Sequence, residues 1–176
     1  CSTCDAIFFK GKRVVVVGGG NAGFEAALDL LPFAEKIYIL EISEKPIADE
    51  ISQQKVKNSG KADILLKAKT LEIRGRESVE TLIYQDLSSG QIQELKVDGV
   101  FVQIGSLPTV GFLKDSGLVE FNQFGEVVID PRTGATKTPG LFAAGDATDV
   151  KYKQIVVAAG EGVKAALSAY EYLQKT

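Results

Sequence analysis

The first 60 positions alternate between unbroken apolar runs and segments with helical periodicity. Arg13–Val17 and Lys36–Leu40 are rich in β-branched and apolar residues, which is typical of strands buried on both sides of a parallel sheet. Positions 24–31 and 49–57 favour helix, and the turn-forming residues 58–60 close the second segment as a helix C-cap does. This part of the chain is therefore predicted to form a β-α-β-α unit.

Shorter alternating segments follow in the middle of the chain. Four of them alternate, or nearly so, between apolar and polar residues: 64–66, 69–73, 81–85 and 91–97. Turn residues separate them, so they are predicted to form a short antiparallel meander laid over the parallel sheet. Positions 100–104 read as a further buried strand. The turn-forming stretch after it is the predicted domain boundary, which gives domains 1–104 and 105–176.

The last third repeats this pattern on a smaller scale. Positions 127–129 and 141–144 are predicted to be short strands. Positions 154–173 are predicted to form an amphipathic helix with Glu and Lys on its outer face. Strands that alternate with helices predict an α/β fold for the chain as a whole.

Composition excludes several classes of function. The chain is 45% hydrophobic and 24% charged, as folded proteins with a core are, and no long apolar run marks a membrane span. A net charge of -3 leaves no basic surplus for phosphates, so no nucleic-acid partner is expected. The sequence contains no histidine, which excludes a Ser-His-Asp triad, a Cys-His pair and a His-ligated metal site.

The start of the sequence has an unusual feature. It contains no methionine and opens directly on Cys1, at the edge of a motif. Because order is lost first at chain termini, a natural domain would rarely begin at such a point. The chain is therefore expected to be a piece of a longer polypeptide.

A glycine-rich segment follows the first predicted strand and opens a helix. In its pattern Gly18-x-Gly20-x-x-Gly23, the first glycine permits a tight turn, the second lets the backbone approach a pyrophosphate, and the third allows close helix–strand packing. The anion would rest on N–H groups at the positive end of the helix dipole. The complete context predicts a dinucleotide site; the alternative is a tight strand–helix turn without a ligand.

An acidic residue stands at the end of the second predicted strand. Glu41 lies close to the spacing of about 20 residues at which a carboxylate binds the adenosine ribose in dinucleotide folds. A carboxylate there repels a 2′-phosphate, and no arginine cluster follows it, so NADH is favoured over NADPH. The alternative is a surface glutamate without a ligand.

The only two cysteines form a Cys-x-x-Cys motif at Cys1 and Cys4. Such a motif is either half of a zinc site or a dithiol–disulfide pair. Zinc typically takes four Cys or His ligands, and the sequence offers no others, so no metal is expected and a redox pair is favoured. Asp5 follows directly and could exchange a proton with a thiolate, or it could simply be a solvated acid.

A second candidate ligand position lies near the end of the chain. Positions 140–146 form an apolar segment that ends in Gly145-Asp146. Ligands of open α/β folds bind at the carboxyl ends of sheet strands, where this carboxylate is expected. The residues themselves leave the ligand undetermined.

Taken in order, these motifs resemble the low-molecular-weight thioredoxin reductase family of the pyridine nucleotide-disulphide oxidoreductases. Cys-x-x-Cys-Asp precedes the glycine motif, a meander follows, and Val-Gln-Ile-Gly-x-x-Pro and Leu-Phe-Ala-Ala-Gly-Asp come after it. Within the family, positions 9–14, 100–105 and 152–155 are similar to the branch of bacterial alkyl hydroperoxide reductase flavoproteins, as is Glu41.

The resemblance implies a Rossmann-like three-layer ββα fold that binds FAD and NAD(P), and it implies roles for individual residues. Cys4 would face the flavin, Cys1 would attack the disulfide of a partner, and Asp5 would be the acid nearby. Asp146 would bind the ribityl or pyrophosphate part of FAD. The residues expected to bind a cofactor are Gly18, Gly19, Gly20, Asn21, Ala22, Gly23, Glu41, Gly105, Gly145, Asp146, Lys153, Gln154 and Ile155.

The family's FAD domain is discontinuous, and positions 105–176 resemble only its C-terminal half, with the N-terminal half absent. The expected protein is a fragment of an NADH-dependent, FAD-containing disulfide reductase that binds FAD weakly or not at all by itself. Electrons would pass from NADH to FAD, to the Cys1–Cys4 disulfide, and to a protein disulfide acceptor in a peroxiredoxin system. A cytoplasmic location and a homodimer of the full-length protein are also expected.

Two other functions remain open at this stage. One is an NADPH-dependent thioredoxin reductase with thioredoxin as the acceptor. The other is a non-catalytic module that binds a nicotinamide nucleotide or senses redox state, which the missing half of the FAD domain would permit.

Overall fold

The structure is a computed structural model that describes residues 1–175. It divides into two compact units, unit 1 (Cys1–Gly105) and unit 2 (from Ser106 onward). The elements of unit 1 are, in chain order, α1 (Ser2–Asp5), β1 (Arg13–Val17), α2 (Asn21–Leu30), β2 (Lys36–Leu40), α3 (Glu50–Asn58), β3 (Ala62–Leu65), β4 (Ala68–Gly75), β5 (Val79–Asp86), β6 (Ile92–Lys96) and β7 (Gly99–Val102).

Unit 1 is built around a parallel sheet with the strand order β3-β2-β1-β7. An antiparallel sheet of order β4-β5-β6 forms a second layer, and α2 and α3 form a third. The valines of β1 explain this arrangement, because successive strand residues point to opposite faces. Val14 and Val16 pack into the helix-side core, while Val15 packs into the core beneath the meander.

Both cores of unit 1 consist of buried apolar side chains, many of them without solvent exposure. Phe24 and Leu30 of α2 pack against Ile37 and Ile39 of β2 on the helix side. Complete burial of one such side chain stabilises the folded state by about 1.5–3 kcal/mol. The α/β fold with a parallel sheet and an antiparallel meander, as predicted, is confirmed.

One predicted member of the meander lies elsewhere. Residues 64–66 were expected in the antiparallel layer, but β3 is an edge strand of the parallel sheet, where Ile39 pairs with Ile64. This prediction was wrong because an edge strand is covered on only part of its surface. Its residues are half-buried or exposed, and its pattern therefore resembles that of an antiparallel strand.

Unit 2 has a smaller core and one long helix. Val110, Val119, Val127 and Ile129 are its buried core residues. Helix α4 spans Ile155–Lys175, close to the predicted 154–173. Across residues 1–175, the structure contains no helix that is both long and apolar enough to cross a membrane.

The strands predicted at 127–129 and 141–144 do not form. The chain makes isolated bridges there instead, such as Phe121 with Val127 and Ala135 with Phe142. A strand requires several consecutive residue pairs with one neighbouring segment. Within the described residues, each of these two segments forms only one residue pair with any neighbour. The apolar residues of these segments therefore reflect packing in the core of unit 2 and not pairing in a sheet.

Candidate active site

The glycine-rich loop between β1 and α2 is fixed first at Gly18. Its N–H donates to the Leu40 carbonyl at 2.8 Å, which continues the pairing of β1 with β2. Its backbone has a φ of +118°, and a Cβ added there would lie 2.2 Å from the Gln103 carbonyl oxygen. Only glycine satisfies both the backbone conformation and this close approach.

Gly19 connects the loop to the chain that follows β2. Its N–H donates to Glu41 Oε2 at 2.7 Å. Its carbonyl accepts the N–H groups of Ile47 at 3.0 Å and Ala48 at 3.2 Å. A Cβ at Gly19 would lie 2.6 Å from Glu41 Oε2, so the absence of a side chain makes room for this carboxylate.

Gly20 and Gly23 differ in what surrounds them. A Cβ at Gly23 would lie 1.9 Å from the Gly18 carbonyl oxygen, so this glycine is required for packing α2 against the loop. A Cβ at Gly20 would meet no protein atom closer than Ile47, at 3.8 Å. Gly20 therefore faces open space that ligand atoms can occupy.

Helix α2 begins at this open position. Its N-cap is Gly20, and no side chain caps its first N–H groups. Such groups carry the positive end of the helix dipole and bind phosphate oxygens well. Ala22 is exposed in the same first turn. The loop thus fits the pyrophosphate of a dinucleotide.

Glu41 lies one residue beyond β2 and is only 7% exposed. Its second oxygen, Oε1, accepts the Ser43 N–H at 2.8 Å. Burial alone would raise the pKa of Glu41, but the hydrogen bonds from Ser43 and Gly19 outweigh it and hold the pKa below the ordinary value of 4.5. Because a carboxylate oxygen has two lone pairs, each oxygen can still accept a ribose hydroxyl.

Asn21, predicted to contact the cofactor, also has a structural contact. Its Oδ1 accepts the Asp49 N–H at 2.9 Å. Asp49 in turn caps α3 by accepting the Ser52 N–H at 2.8 Å. Asn21 therefore joins the start of α2 to the start of α3 beside the loop.

The two cysteines lie at the short helix α1, which has Cys1 as its N-cap and contains Cys4. Cys4 and Asp5 donate their N–H groups to the Cys1 carbonyl at 3.1 Å and 2.9 Å. Both cysteines are exposed, and neither forms a disulfide in the structure. Asp5 Oδ2 lies 3.3 Å from the Cys1 amino nitrogen.

A surface recess of about 370 Å³ opens beside this pair. Cys1 and Asp5 line one part of it, and Phe8, Phe101 and Gln103 line another. A group placed in the recess would therefore lie against the Cys1 end of the motif and against apolar ring surface. The recess gives an incoming disulfide or ring system access to Cys1.

The remaining predicted residues lie in unit 2, apart from Gly105, which ends unit 1 with a φ of +94°. Gly145 has a φ of +72° at the start of a 3₁₀ turn (Gly145–Ala147), and its carbonyl accepts the buried Thr148 hydroxyl at 2.7 Å. Asp146 is exposed there. Gln154 directly precedes α4, and Ile155, the first residue of α4, is 93% exposed.

Lys153 holds the turn at Gly145–Ala147 in place. Its Nζ donates to the Thr148 carbonyl and, at 3.4 Å, to the Asp146 carbonyl. It also forms an ion pair with Glu126 Oε1 at 2.8 Å. The ammonium group of Lys153 keeps the pKa of Glu126 below its ordinary value of 4.5. Sequence reasoning assigned Lys153 to the cofactor and missed this structural role.

Two other contacts were not found from the sequence. The two hydrogen bonds that hold the Glu41 carboxylate could not be predicted from nearby residues, because one donor, Gly19, lies 22 positions earlier. The other donor, Ser43, lies two positions later. The hydroxyls of Ser2 and Thr3 both donate to Asp29 on α2. Hydroxyl residues between the cysteines were the only available hint. Within residues 1–175, no group of three or more His, Cys, Asp or Glu side chains could hold a metal ion.

Comparison with known proteins places these features in a family. The family model described as pyridine nucleotide-disulphide oxidoreductase matches residues 1–162. An alkyl hydroperoxide reductase component of Xanthomonas campestris pv. phaseoli is 48% identical, over 100% of this chain and 33% of the relative. Its counterpart of the same name in Escherichia coli (strain K12) is also 48% identical, with the same coverage. The chain thus spans about a third of the length of these curated relatives.

Solved structures are similar over the whole chain. Thioredoxin reductase from Streptococcus pyogenes MGAS5005 has a TM-score of 0.87 and 30% identity, over 100% of this chain and 57% of that one. Thioredoxin reductase from Giardia duodenalis has a TM-score of 0.83 and 36% identity, over 99% of this chain and 57% of that one. The resemblance that the order of the motifs indicated is confirmed.

Proposed function

We propose that this chain, which belongs to the pyridine nucleotide-disulphide oxidoreductase family, is the nicotinamide-binding and dithiol-carrying part of an NADH-dependent, FAD-containing protein-disulfide reductase. One observation carries the proposal: a single helix, α2, begins at an open dinucleotide loop and contacts the exposed Cys-x-x-Cys turn through Asp29. Binding and redox chemistry thus depend on one rigid element.

The preference for NADH is supported by the environment of Glu41. Its lowered pKa keeps the carboxylate ionised at neutral pH, so it accepts hydrogen bonds from ribose hydroxyls and repels a 2′-phosphate. The N–H of Lys67 donates to the Ser43 carbonyl, so this lysine lies beside the segment that follows Glu41. Its ammonium is held by Glu44 at 2.7 Å, which reduces its attraction for a phosphate.

The thiols would act on a protein disulfide in two steps. The Cys1 thiolate attacks one sulfur of the acceptor disulfide, which forms a mixed disulfide and releases the acceptor's other sulfur as a thiolate that takes up a proton. The Cys4 thiolate then attacks the Cys1 sulfur, which releases the second acceptor thiol and closes the Cys1–Cys4 disulfide. Asp5, next to Cys4 in sequence, would carry protons for this exchange.

The cofactors, when bound, supply a hydride from the nicotinamide and two electrons through the flavin, which return the Cys1–Cys4 disulfide to two thiols. Gly18, Gly20, Gly23 and Glu41 would hold the NADH. In unit 2, the FAD would be held by residues at the turn and at the start of α4: Gly145, Asp146, Lys153, Gln154 and Ile155. Gly105 would contact a cofactor where unit 1 ends.

The relatives favour a place for the protein in peroxide reduction. Their name, alkyl hydroperoxide reductase, supports an acceptor that belongs to a peroxiredoxin system. We also propose a homodimer in the cytoplasm, where a nicotinamide pool keeps the dithiol reduced. A thioredoxin is the second candidate acceptor, favoured by the structural similarity to thioredoxin reductases. Initial rates with each acceptor distinguish the two.

Nucleotide titration and thiol counting test the proposal. NADH and NADPH are titrated into the 176-residue chain by nucleotide fluorescence, and its thiols are counted before and after equilibration with oxidised glutathione. We expect NADH to bind at least about tenfold more tightly, a difference of about 1.4 kcal/mol, and both thiols to be lost together as an intramolecular disulfide. A preference for NADPH would contradict the cofactor assignment. Failure to bind either nucleotide, or to form the disulfide, would contradict the function.

A further inference from the structure

The turn between the two cysteines is held by a carboxylate from another element. The Ser2 hydroxyl donates to Asp29 Oδ2 at 2.9 Å, and the Thr3 hydroxyl donates to the same oxygen at 3.2 Å. Ser2 and Thr3 are the two residues of the motif that are not cysteine. Asp29 therefore contacts both of the residues that separate the two cysteines.

The contact between Asp29 and the Cys-x-x-Cys turn lies in a partly buried and well-packed environment. Ser2 is buried, and Asp29 is half-buried on α2, which is packed into the helix-side core through Ala26, Ala27 and Leu30. Hydroxyl donors to a carboxylate form charge-assisted hydrogen bonds, which are stronger than neutral ones. Cys1, the N-cap of α1, and Cys4, within α1, remain exposed. The interior of the motif is thus tied to a rigid element while both sulfurs stay accessible.

Taking the redox role of Cys1 and Cys4 proposed above as given, we propose that Asp29 is a positioning residue for this pair. By accepting both hydroxyls it fixes the turn on α2 and keeps one thiol close to the other. Two groups held close react as if each were present at a high effective concentration. Asp29 thereby stabilises the Cys1–Cys4 disulfide relative to a disulfide with an external thiol.

Equilibrium with glutathione measures this effect directly. When the disulfide closes, each thiol loses one proton and one electron to oxidised glutathione, which becomes two molecules of reduced glutathione. The chain contains only two cysteines, so alkylation of free thiols followed by mass measurement reports this one pair. Neither NADH nor FAD is needed.

Two substitutions of Asp29 are expected to weaken the disulfide to different degrees. For Asp29→Ala we expect the equilibrium constant for disulfide formation against glutathione to fall about tenfold, which raises the reduction potential of the pair by about 30 mV. Asp29→Asn keeps one acceptor oxygen, but a neutral acceptor bonds hydroxyls more weakly than a carboxylate does. For this variant we expect the equilibrium constant to fall less, about threefold. The matched control is Glu25→Gln, an exposed carboxylate one helical turn earlier on α2, which should leave the constant unchanged.

A second set of variants removes the hydroxyl donors in place of the carboxylate acceptor. A Ser2→Ala, Thr3→Val variant lacks both hydroxyls but keeps Asp29, and should lower the constant as far as Asp29→Ala does. Adding Asp29→Ala to this variant should have no further effect, since interacting residues are not additive. This arm remains informative if Asp29→Ala fails to fold. A general effect on fold stability would lower the free energy of unfolding without moving the glutathione equilibrium.

The outcomes separate this proposal from the function beneath it. If the wild-type chain forms no Cys1–Cys4 disulfide, the redox role itself is wrong. If it does, and the Asp29 variants keep the wild-type constant, only the positioning role is overturned. The positioning role is also overturned if Asp29→Ala lowers the constant as much in the Ser2→Ala, Thr3→Val variant as in the wild-type chain.

Discussion

The two turns proposed to hold cofactors are fixed in different ways. In unit 1, the loop at Gly18–Gly20 is tied to its surroundings through its own backbone, by bonds to Leu40, Ile47 and Ala48 and to the carboxylate of Glu41. In unit 2, side chains add to the backbone bonds: the Gly145 carbonyl accepts both the N–H and the hydroxyl of Thr148, the Ala147 carbonyl accepts the Val127 N–H, and the Lys153 ammonium donates to carbonyls of the turn.

The difference shows where each site gets its rigidity. The loop in unit 1 joins two elements, β1 and α2, whose side chains fill fully buried cores. The turn in unit 2 adjoins segments that form single bridges and a helix with Ala165 as its one buried residue among those described. We expect the first site to tolerate loss of any one side chain better than loss of a glycine, and the second site to depend on Lys153.

The largest effect is expected from Gly23→Ala. The new Cβ would overlap a backbone atom, the Gly18 carbonyl oxygen, at 1.9 Å, and a backbone atom cannot rotate away as a side chain can. Overpacking of this kind destabilises a fold by about 3 kcal/mol at the upper end of its usual range. Urea denaturation of unit 1 should show this loss, and NADH titration should show weakened binding.

The matched control for this prediction is Gly20→Ala in the same loop. Its Cβ would meet only Ile47, at 3.8 Å, so the free energy of unfolding should change by less than about 1 kcal/mol. NADH affinity should nevertheless fall, because the methyl group would enter the space that the pyrophosphate needs. Equal destabilisation by the two substitutions would show that the loop is not organised as described.

Lys153→Met should have the next largest effect, confined to unit 2. It removes hydrogen bonds to the Thr148 and Asp146 carbonyls and an ion pair with Glu126, and the Lys153 side chain is only 29% exposed. Loss of charged hydrogen bonds of this kind typically destabilises by about 2 kcal/mol. Hydrogen exchange should therefore accelerate across the turn at Gly145–Ala147 and remain unchanged in unit 1.

Lys151→Met provides the comparison. Lys151 lies over the Tyr152 ring at 5.3 Å and is exposed, so this substitution removes the same charge without loosening the turn. Acceleration of equal size in both variants would mean that net charge, and not the Lys153 contacts, controls the turn.

The glycine loop could be predicted because each of its requirements is recorded locally. A positive φ or a close approach of another backbone segment requires glycine at that position. Gly18 and Gly23 are two such positions, and their spacing in the sequence is fixed. The unbroken apolar runs of β1 and β2 similarly record burial on both faces. Both signals are contained in a few consecutive residues.

The features that were missed depend on distant partners. Apolar residues at 141–144 read as a strand, yet a strand exists only if a neighbour pairs along its length, and Phe142 finds one bridge. Glu41 was predicted to bind a ribose, but its burial and its bond to the Gly19 N–H depend on the path of a backbone segment 22 positions away. The bond from Thr3 to Asp29 spans 26 positions and leaves no trace in spacing.

Charge reversal at Glu41 should alter cofactor choice. In Glu41→Arg, the guanidinium cannot accept the Gly19 and Ser43 N–H groups, and it attracts the 2′-phosphate that the carboxylate repels. We expect the ratio of NADH to NADPH affinity to fall at least about tenfold, or about 1.4 kcal/mol. Glu35→Arg, an exposed charge reversal just before β2, is the control. A ratio that does not move, or moves equally in both variants, would contradict the role of Glu41.

The smallest effect is expected from acid, which also acts through Glu41. Because its pKa in the folded protein lies below the ordinary value of 4.5, ionised Glu41 stabilises the loop at pH values above that value, and this stabilisation is lost as pH falls through the lowered pKa. The loss should be smaller than in Glu41→Arg, since a protonated carboxyl group can still accept one N–H bond through its carbonyl oxygen. Hydrogen exchange at Gly19, corrected for the intrinsic pH dependence of exchange, should therefore accelerate in this acid range. In Glu41→Gln the same amide should show no such transition, because no group titrates at this position. Acceleration at Gly19 that persists in Glu41→Gln would assign the acid sensitivity of the loop to another carboxylate.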